Sequence, residues 1–276
     1  MSEVLLAARG VNAGFGSHQV LHGVDLDVRA GEAVGIFGLN GAGKSVTLKV
    51  LAGLLAPWSG TVELDGRDVT RSAPERRVAL GMGHVPQGRQ VFPRLTVEEN
   101  LRLGAYTSRR RDRSAYPARL ERVLAQFPLL ADRRRQLAGT LSGGEQAALA
   151  VGRALINEPR LMLVDEPSAG LAPAVVGYLL RILRDVAASG VTIVLVEQNV
   201  AFGLQLVDRA KLMQNGRIVH DAPVTELDTD TLAHRLGIGR MLSATTRDAL
   251  TARAGAANGG RPPRRPGRPL RAPGRT

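Results

Sequence analysis

Eight consecutive residues, Gly38, Leu39, Asn40, Gly41, Ala42, Gly43, Lys44 and Ser45, follow the pattern G-x-x-x-x-G-K-S. The chemistry such a run can do is to hold a polyphosphate. Glycines let backbone N–H groups close around phosphate oxygens, and a helix that starts there adds the positive end of its dipole. Lys44 would reach the β- and γ-phosphates, and the Ser45 hydroxyl would ligate Mg²⁺. Of 37 basic residues only Lys44, Lys49 and Lys211 are lysines, so one of the few stands where a compact charge on a flexible stem is required. A second group follows the apolar run 161–164: Asp165, suited to hold Mg²⁺ through water, and Glu166, suited to orient or deprotonate an attacking water. Together these residues imply a protein that binds a nucleotide.

The elements needed to position them are legible nearby. Residues 33–37 are continuously apolar and read as a buried strand leading into the glycine loop, and residues 46–55 have the apolar spacing of a helix leading out of it. Residues 161–164 read as a central parallel strand buried on both faces. Ser142 and Glu145 form an S-x-x-E capping box that opens a helix through about residue 154, and Thr96 with Glu99 caps another. Pro173 opens a helix with apolar positions Val176, Leu179, Leu180 and Leu183, which Gly190 ends. Residues 191–196 form the next strand, and Asn215-Gly216 signals a tight hairpin.

The stretch Leu141-Ser142-Gly143-Gly144-Glu145-Gln146 resembles the signature motif of ATP-binding cassette (ABC) ATPases, and it lies about twenty residues before the strand that ends in two carboxylates. The resemblance covers residues 1 to about 238. It implies an α/β P-loop NTPase fold, with a mainly parallel sheet, an N-terminal antiparallel β part and a helical subdomain over about 86–155. It also implies ATP and Mg²⁺ as ligands and a head-to-tail pair of cassettes. In that pair Ser142, Gly143 and Gly144 would close on the γ-phosphate held by the partner. Phe15 stands where cassettes place a ring against adenine. Gln87 matches the glutamine that contacts Mg²⁺ and water and joins the core to the helical subdomain.

Departures from the family pattern are informative. Val46 replaces the common threonine after Ser45, and Ala172 replaces the aspartate in the 168–172 loop that crosses the dimer interface. Cassettes usually place a histidine after the 191–196 strand; here Glu197, Gln198 and Asn199 follow, and His18, His22, His84, His220 and His234 all lie elsewhere. Gln198 can hydrogen-bond a γ-phosphate but carries no charge; alternatively it caps the following helix. This glutamine version, with the 91–100 and 170–173 stretches, is similar to the ATPase subunits of bacterial branched-chain amino-acid importers. The partners implied are a second cassette, two transmembrane permease subunits and an extracytoplasmic solute-binding protein, at the cytoplasmic face of the membrane. Importers of urea, short amides or aromatic acids are the alternative, followed by a soluble non-transport ABC ATPase.

Composition bounds the rest. With no cysteine, disulfide scaffolds and thiolate metal sites are excluded. No stretch approaches the roughly twenty apolar residues of a bilayer span, and the N-terminus has no signal-peptide pattern. Residues 240–276 hold nine arginines and one aspartate, so +8 of the formal net charge of +12 sits in this tail and +4 in the body. Proline and glycine punctuate residues 239–276, and their composition predicts disorder. Contact with anionic lipid or RNA is the sharper alternative. Residues 109–113 read as an exposed basic loop. Specific nucleic-acid binding is not expected, because 3% aromatic content leaves few rings to stack on bases.

Overall fold

The computed structural model describes residues 3–106, 114–228 and Leu232. Two sheets frame it. The smaller is antiparallel and has the order β2-β1-β4-β5, with β1 (Val4–Phe15), β2 (His18–Arg29), β4 (Ser59–Leu64) and β5 (Arg67–Asp68). The larger has the order β10-β9-β3-β8-β7-β6, with β3 (Ala33–Phe37), β6 (Met82–Val85), β7 (Leu161–Asp165), β8 (Thr192–Glu197), β9 (Arg209–Gln214) and β10 (Arg217–Pro223). All its pairings are parallel except that of β9 with β10.

The apolar runs of β3, β7 and β8 are buried at every residue, as expected of strands covered on both faces. Alternate residues serve two cores. Val34, Ile36, Leu161, Leu163, Val194 and Val196 pack with the smaller sheet and α1 (Lys44–Ala52). Phe37, Met162, Val164, Ile193 and Leu195 face the opposite core, which includes α6 (Gly143–Leu155) and α7 (Pro173–Ala188). The strand period of two thus fastens both layers to one sheet and fixes where its carboxyl ends emerge.

Helix α1 starts two residues earlier and ends three residues earlier than the apolar spacing predicts. Its stop is Gly53, in a left-handed conformation (φ +78°) that returns its N–H to the carbonyls of Lys49 and Val50. A buried arginine completes this end. Arg77, on α2 (Pro74–Ala79), is 1% exposed and donates to the carbonyls of Val50 (2.7 Å), Leu51 (2.6 Å), Val69 (2.6 Å), Thr70 (3.2 Å) and Ser72 (3.3 Å). The last carbonyls of a helix lack internal partners, and a cation there also complements the dipole.

Between β6 and α6 lie α3 (Val97–Gly104), α4 (Tyr116–Gln126) and α5 (Pro128–Asp132). Helices α3 and α6 both carry the complete capping boxes anticipated at Thr96/Glu99 and Ser142/Glu145. Buried Asn100 satisfies its amide on the carbonyls of Phe92, Leu95 and Thr96 and accepts from the Phe92 N–H, so it fixes the connection leading from the Gln87 loop into α3. The basic stretch 109–113 and the tail 239–276 lie outside the described residues. No described helix is long and apolar enough to cross a membrane.

The β9–β10 hairpin turns at Asn215 (φ +48°) and Gly216 (φ +72°), the two positive-φ residues of a two-residue hairpin. Gly216 also donates to the Ala42 carbonyl (2.9 Å) and accepts from His22 N–H (2.9 Å). A Cβ there would lie 1.9 Å from the Val20 carbonyl oxygen. The hairpin tip therefore braces the glycine loop through Ala42 while it lies against β2 at an approach that only glycine permits.

His84, on β6, is pushed down to about 4 from 6.5 by burial. Above pH 6.5 both folded and unfolded chains hold it neutral. Between 6.5 and about 4 the unfolded chain takes a proton that the folded chain refuses, so stability falls with pH across that window. His84→Gln is expected to remove this part of the acid slope. The difference in pH dependence of unfolding free energy, from urea titrations at pH 7 and pH 4.5, should reach about 2 kcal/mol; identical slopes would contradict it.

Candidate active site

The glycine loop delivers Lys44 and Ser45 to the carboxyl end of the central sheet, where Asp165 and Glu166 emerge. Lys44 is 4% exposed, and its Nζ donates to the carbonyls of Gly38 (2.9 Å) and Leu39 (3.2 Å) and pairs with Glu166 Oε1 at 3.4 Å. The Ser45 hydroxyl donates to Asp165 Oδ1 at 3.0 Å, and Gln87 Nε2 donates to Glu166 Oε2 at 2.8 Å. Five residues from three sequence regions thus meet through direct bonds.

Backbone geometry aims them. Glu166 has φ +42°, uncommon for a side chain with a Cβ, and its N–H is tied to the Val196 carbonyl at 2.9 Å. Gly43 begins α1 at φ +106° with no side-chain cap, unlike the boxed α3 and α6, so the first-turn N–H groups of α1 remain for a ligand's oxygens. Desolvation by burial holds the Asp165 carboxyl above its ordinary range; the Ser45 hydrogen bond opposes the shift and the Glu166 charge adds to it.

The donor set fits Mg²⁺. Ser45 Oγ, Asp165 and the Gln87 amide oxygen are hard oxygen ligands, as few as Mg²⁺ takes when phosphates and waters supply the rest. Among the described residues there is no cluster of three or more His, Cys, Asp or Glu side chains that could hold a metal by themselves.

Other candidates lie around this centre. Gln198 shares a cavity of about 310 Å³ with Glu166, Ser168, Ala169, Glu197 and Asn199. It does not cap the next helix: Asn199 does, its Oδ1 accepting from Phe202 N at 3.1 Å to start α8 (Val200–Leu206). Phe15 ends β1 half exposed, with Lys49 Nζ of α1 over its ring, 5.8 Å from the centroid. Val46, the second residue after Lys44, continues α1 and packs partly buried against the inner core. Ser142, Gly143 and Gly144 sit at the start of α6, where the Ser142 hydroxyl is engaged with Glu145 N–H at 3.4 Å. Among the described residues no hydrogen bond joins these three to the Lys44 group.

Sequence reasoning passed over three side chains that the fold brings here. Arg89 donates to the Gly170 carbonyl (3.3 Å) and lies against Gly143, while Arg153 of α6 donates to the Gln90 carbonyl (2.7 Å). They tie the Gln87 loop to the helical side. Glu197, 1% exposed, accepts from the backbone of Ser168 and Asn199. Nothing in spacing distinguishes these residues from surface charges; a carboxylate directly ending an apolar strand was the one available signal.

Comparison with known proteins agrees with the geometry. The ABC transporter family model matches residues 21–169. The high-affinity branched-chain amino acid transport ATP-binding protein BraG of Pseudomonas aeruginosa is 43% identical over 218 residues, covering 79% of this chain and 92% of the relative. The probable branched-chain amino acid transport ATP-binding protein LivF of Archaeoglobus fulgidus is 38% identical over 218 residues, covering 79% and 91%. Among solved structures, a nucleotide-free ATP-binding cassette from an ABC transporter superposes with a TM-score of 0.73 at 26% identity, covering 85% of this chain and 96% of that one. An ATP-binding cassette in its ADP conformation gives 0.71 at 27% identity, covering 80% and 92%.

Proposed function

The chain belongs to the ABC transporter family, and from that premise we propose that it is the ATP-hydrolysing energy-coupling subunit of an importer for branched-chain or related amino acids. The observation that carries the reading is the bonded group Lys44, Ser45, Gln87, Asp165 and Glu166, on a chain 43% identical to a branched-chain amino acid transport ATP-binding protein.

In this reading the loop from Gly38 to Ser45 and the first turn of α1 hold the phosphates, and Phe15 stacks on adenine. Lys44 leaves the Gly38 and Leu39 carbonyls for the β- and γ-phosphate oxygens. Ser45, Asp165 and Gln87 would hold Mg²⁺, which supplies charge neutralisation on the phosphates. Glu166 takes the proton of the attacking water or holds that water in line, and Gln198 donates a neutral hydrogen bond to the γ-phosphate from across their common cavity. Ser142, Gly143 and Gly144 serve the site of a second cassette, so each site is completed by its neighbour.

The chain works with a second cassette and membrane permease subunits. Exposed Phe92, Leu103 and Tyr106 line a groove with His84 and Arg153 beside the Gln87 loop, and exposed apolar side chains grouped this way suit a permease helix. A solute-binding protein would select the solute, and this chain would stand peripherally at the cytoplasmic face of the membrane. We place residues 1–238 in the cassette, with a helical subdomain over about 86–155.

Phosphate release from ATP by the purified chain, with Mg²⁺ and with excess EDTA, tests the enzymatic part: Mg²⁺-dependent release supports it, and none under either condition opposes it. The arginine-rich tail is expected to touch anionic headgroups without serving the fold. Truncation after Arg240 should leave the melting temperature and the ATPase rate within error of the parent and reduce binding to phosphatidylglycerol vesicles at low salt. A large loss of stability would mean that the tail docks on the cassette.

A further inference from the structure

A buried carboxylate without a cation stands directly behind the hydrolysis site. Glu197 ends β8 at 1% exposure, and among the described residues no lysine, arginine or histidine pairs with it. Its two oxygens face different ways along the chain: Oε1 accepts from Ser168 N–H at 2.9 Å, and Oε2 accepts from Asn199 N–H at 3.0 Å. The first partner lies two residues after Glu166, and the second directly follows Gln198. One further bond, Glu166 N–H to the Val196 carbonyl at 2.9 Å, ties the same two loops one step closer to the sheet.

We propose that Glu197 is a positioning residue, a carboxylate bridge that sets the loop bearing Glu166 against the loop bearing Gln198. The inference rests on the ATPase reading of those two residues. Burying a charge this fully is costly. Burial indeed raises the Glu197 carboxyl above its ordinary range, with the Ser168 and Asn199 hydrogen bonds opposing the shift and the Glu166 charge adding to it. A carboxylate at this point has what no neutral side chain of its length offers, acceptors on both arms at once. A glutamine would turn its NH₂ toward one of the two N–H donors and release that loop. An aspartate keeps the charge but is one methylene too short to span both donors. Glu166 and Gln198 share one cavity, so a release of either loop changes their separation, and in-line attack depends steeply on such placement.

The test compares the full-length parent with Glu197→Gln, Glu197→Asp, Gln198→Ala and the double variant Glu197→Gln/Gln198→Ala. It measures kcat for ATP and the Kd of a non-hydrolysable ATP analogue, whose normal binding also certifies a folded variant. Expected is a fall in kcat of about tenfold for either Glu197 variant, with the analogue Kd within about twofold of the parent. Because Glu197 acts partly through Gln198, the double variant should be slower than Gln198→Ala by much less than that factor. Should Glu197→Gln fail to fold, Glu197→Asp carries the comparison. Parent-like kcat in the Glu197 variants, or losses that multiply in the double variant, would overturn the bridge. An inert parent would overturn the ATPase reading itself, and the bridge with it.

Discussion

Glu166→Gln is expected to lower ATP turnover by about a thousandfold while leaving nucleotide affinity within a few fold of the parent, the range a general base contributes. The substitution is nearly isosteric, and the amide can still bond to Gln87 and lie beside Lys44, which the parent places 2.8 Å and 3.4 Å from the carboxylate. What disappears is the proton acceptor and its charge. In the proposed reading, phosphate binding depends instead on Lys44 and the loop from Gly38 to Ser45, which the substitution leaves unchanged in sequence. Lys44→Ala should show the opposite pattern, with nucleotide affinity itself collapsing. Single-turnover phosphate release and equilibrium binding on both variants separate the two roles. Parent-like turnover in Glu166→Gln would remove Glu166 from the chemistry.

Arg77→Met should cost about 3 kcal/mol of folding stability. Five carbonyls, those of Val50, Leu51, Val69, Thr70 and Ser72, receive the guanidinium. A buried acceptor left without a donor costs roughly 1–3 kcal/mol. Against this stands the relief of a desolvated cation, visible in the depression of the Arg77 pKa by burial, and relaxation that lets some carbonyls find water. The lost acceptors win, because three of the bonds are 2.7 Å or shorter and two of them secure the C-terminal end of α1. Arg77→Lys should recover less than half of the loss, since one ammonium cannot reach carbonyls on both sides of the fork. Urea titration reads the effect; equal midpoints for parent and Arg77→Met would mean that desolvation and hydrogen bonding cancel here.

The parts of the fold that were legible in the sequence are those governed by local rules. Continuous apolar runs announced β3, β7 and β8, and both capping boxes and the Asn215-Gly216 turn appear where residue types demanded them. The end of α1 was misjudged because apolar residues continue past Gly53 to Leu55, while the glycine and Arg77 stop the helix. At the candidate site, the chemistry of phosphate and Mg²⁺ singled out Lys44, Ser45, Asp165 and Glu166 and the family resemblance singled out Gln87; the fold brings these five side chains together. Arg77, Arg89 and Glu197 could not. Each serves backbone groups brought near by tertiary folding, over separations such as the 29 residues between Ser168 and Glu197, and no spacing rule records such a partnership. Gln198 is intermediate: its position marked it, and only the finding that Asn199 caps α8 removed the simpler role.

Uptake of labelled leucine, isoleucine and valine into membrane vesicles reaches the central claim most directly. The vesicles would contain the complete transporter, loaded with ATP, carrying either the parent chain or Glu166→Gln in equal amount. The account predicts ATP-dependent uptake with the parent and almost none with Glu166→Gln, although both chains remain bound to the membrane complex. Equal ATP-dependent uptake with both chains would contradict it.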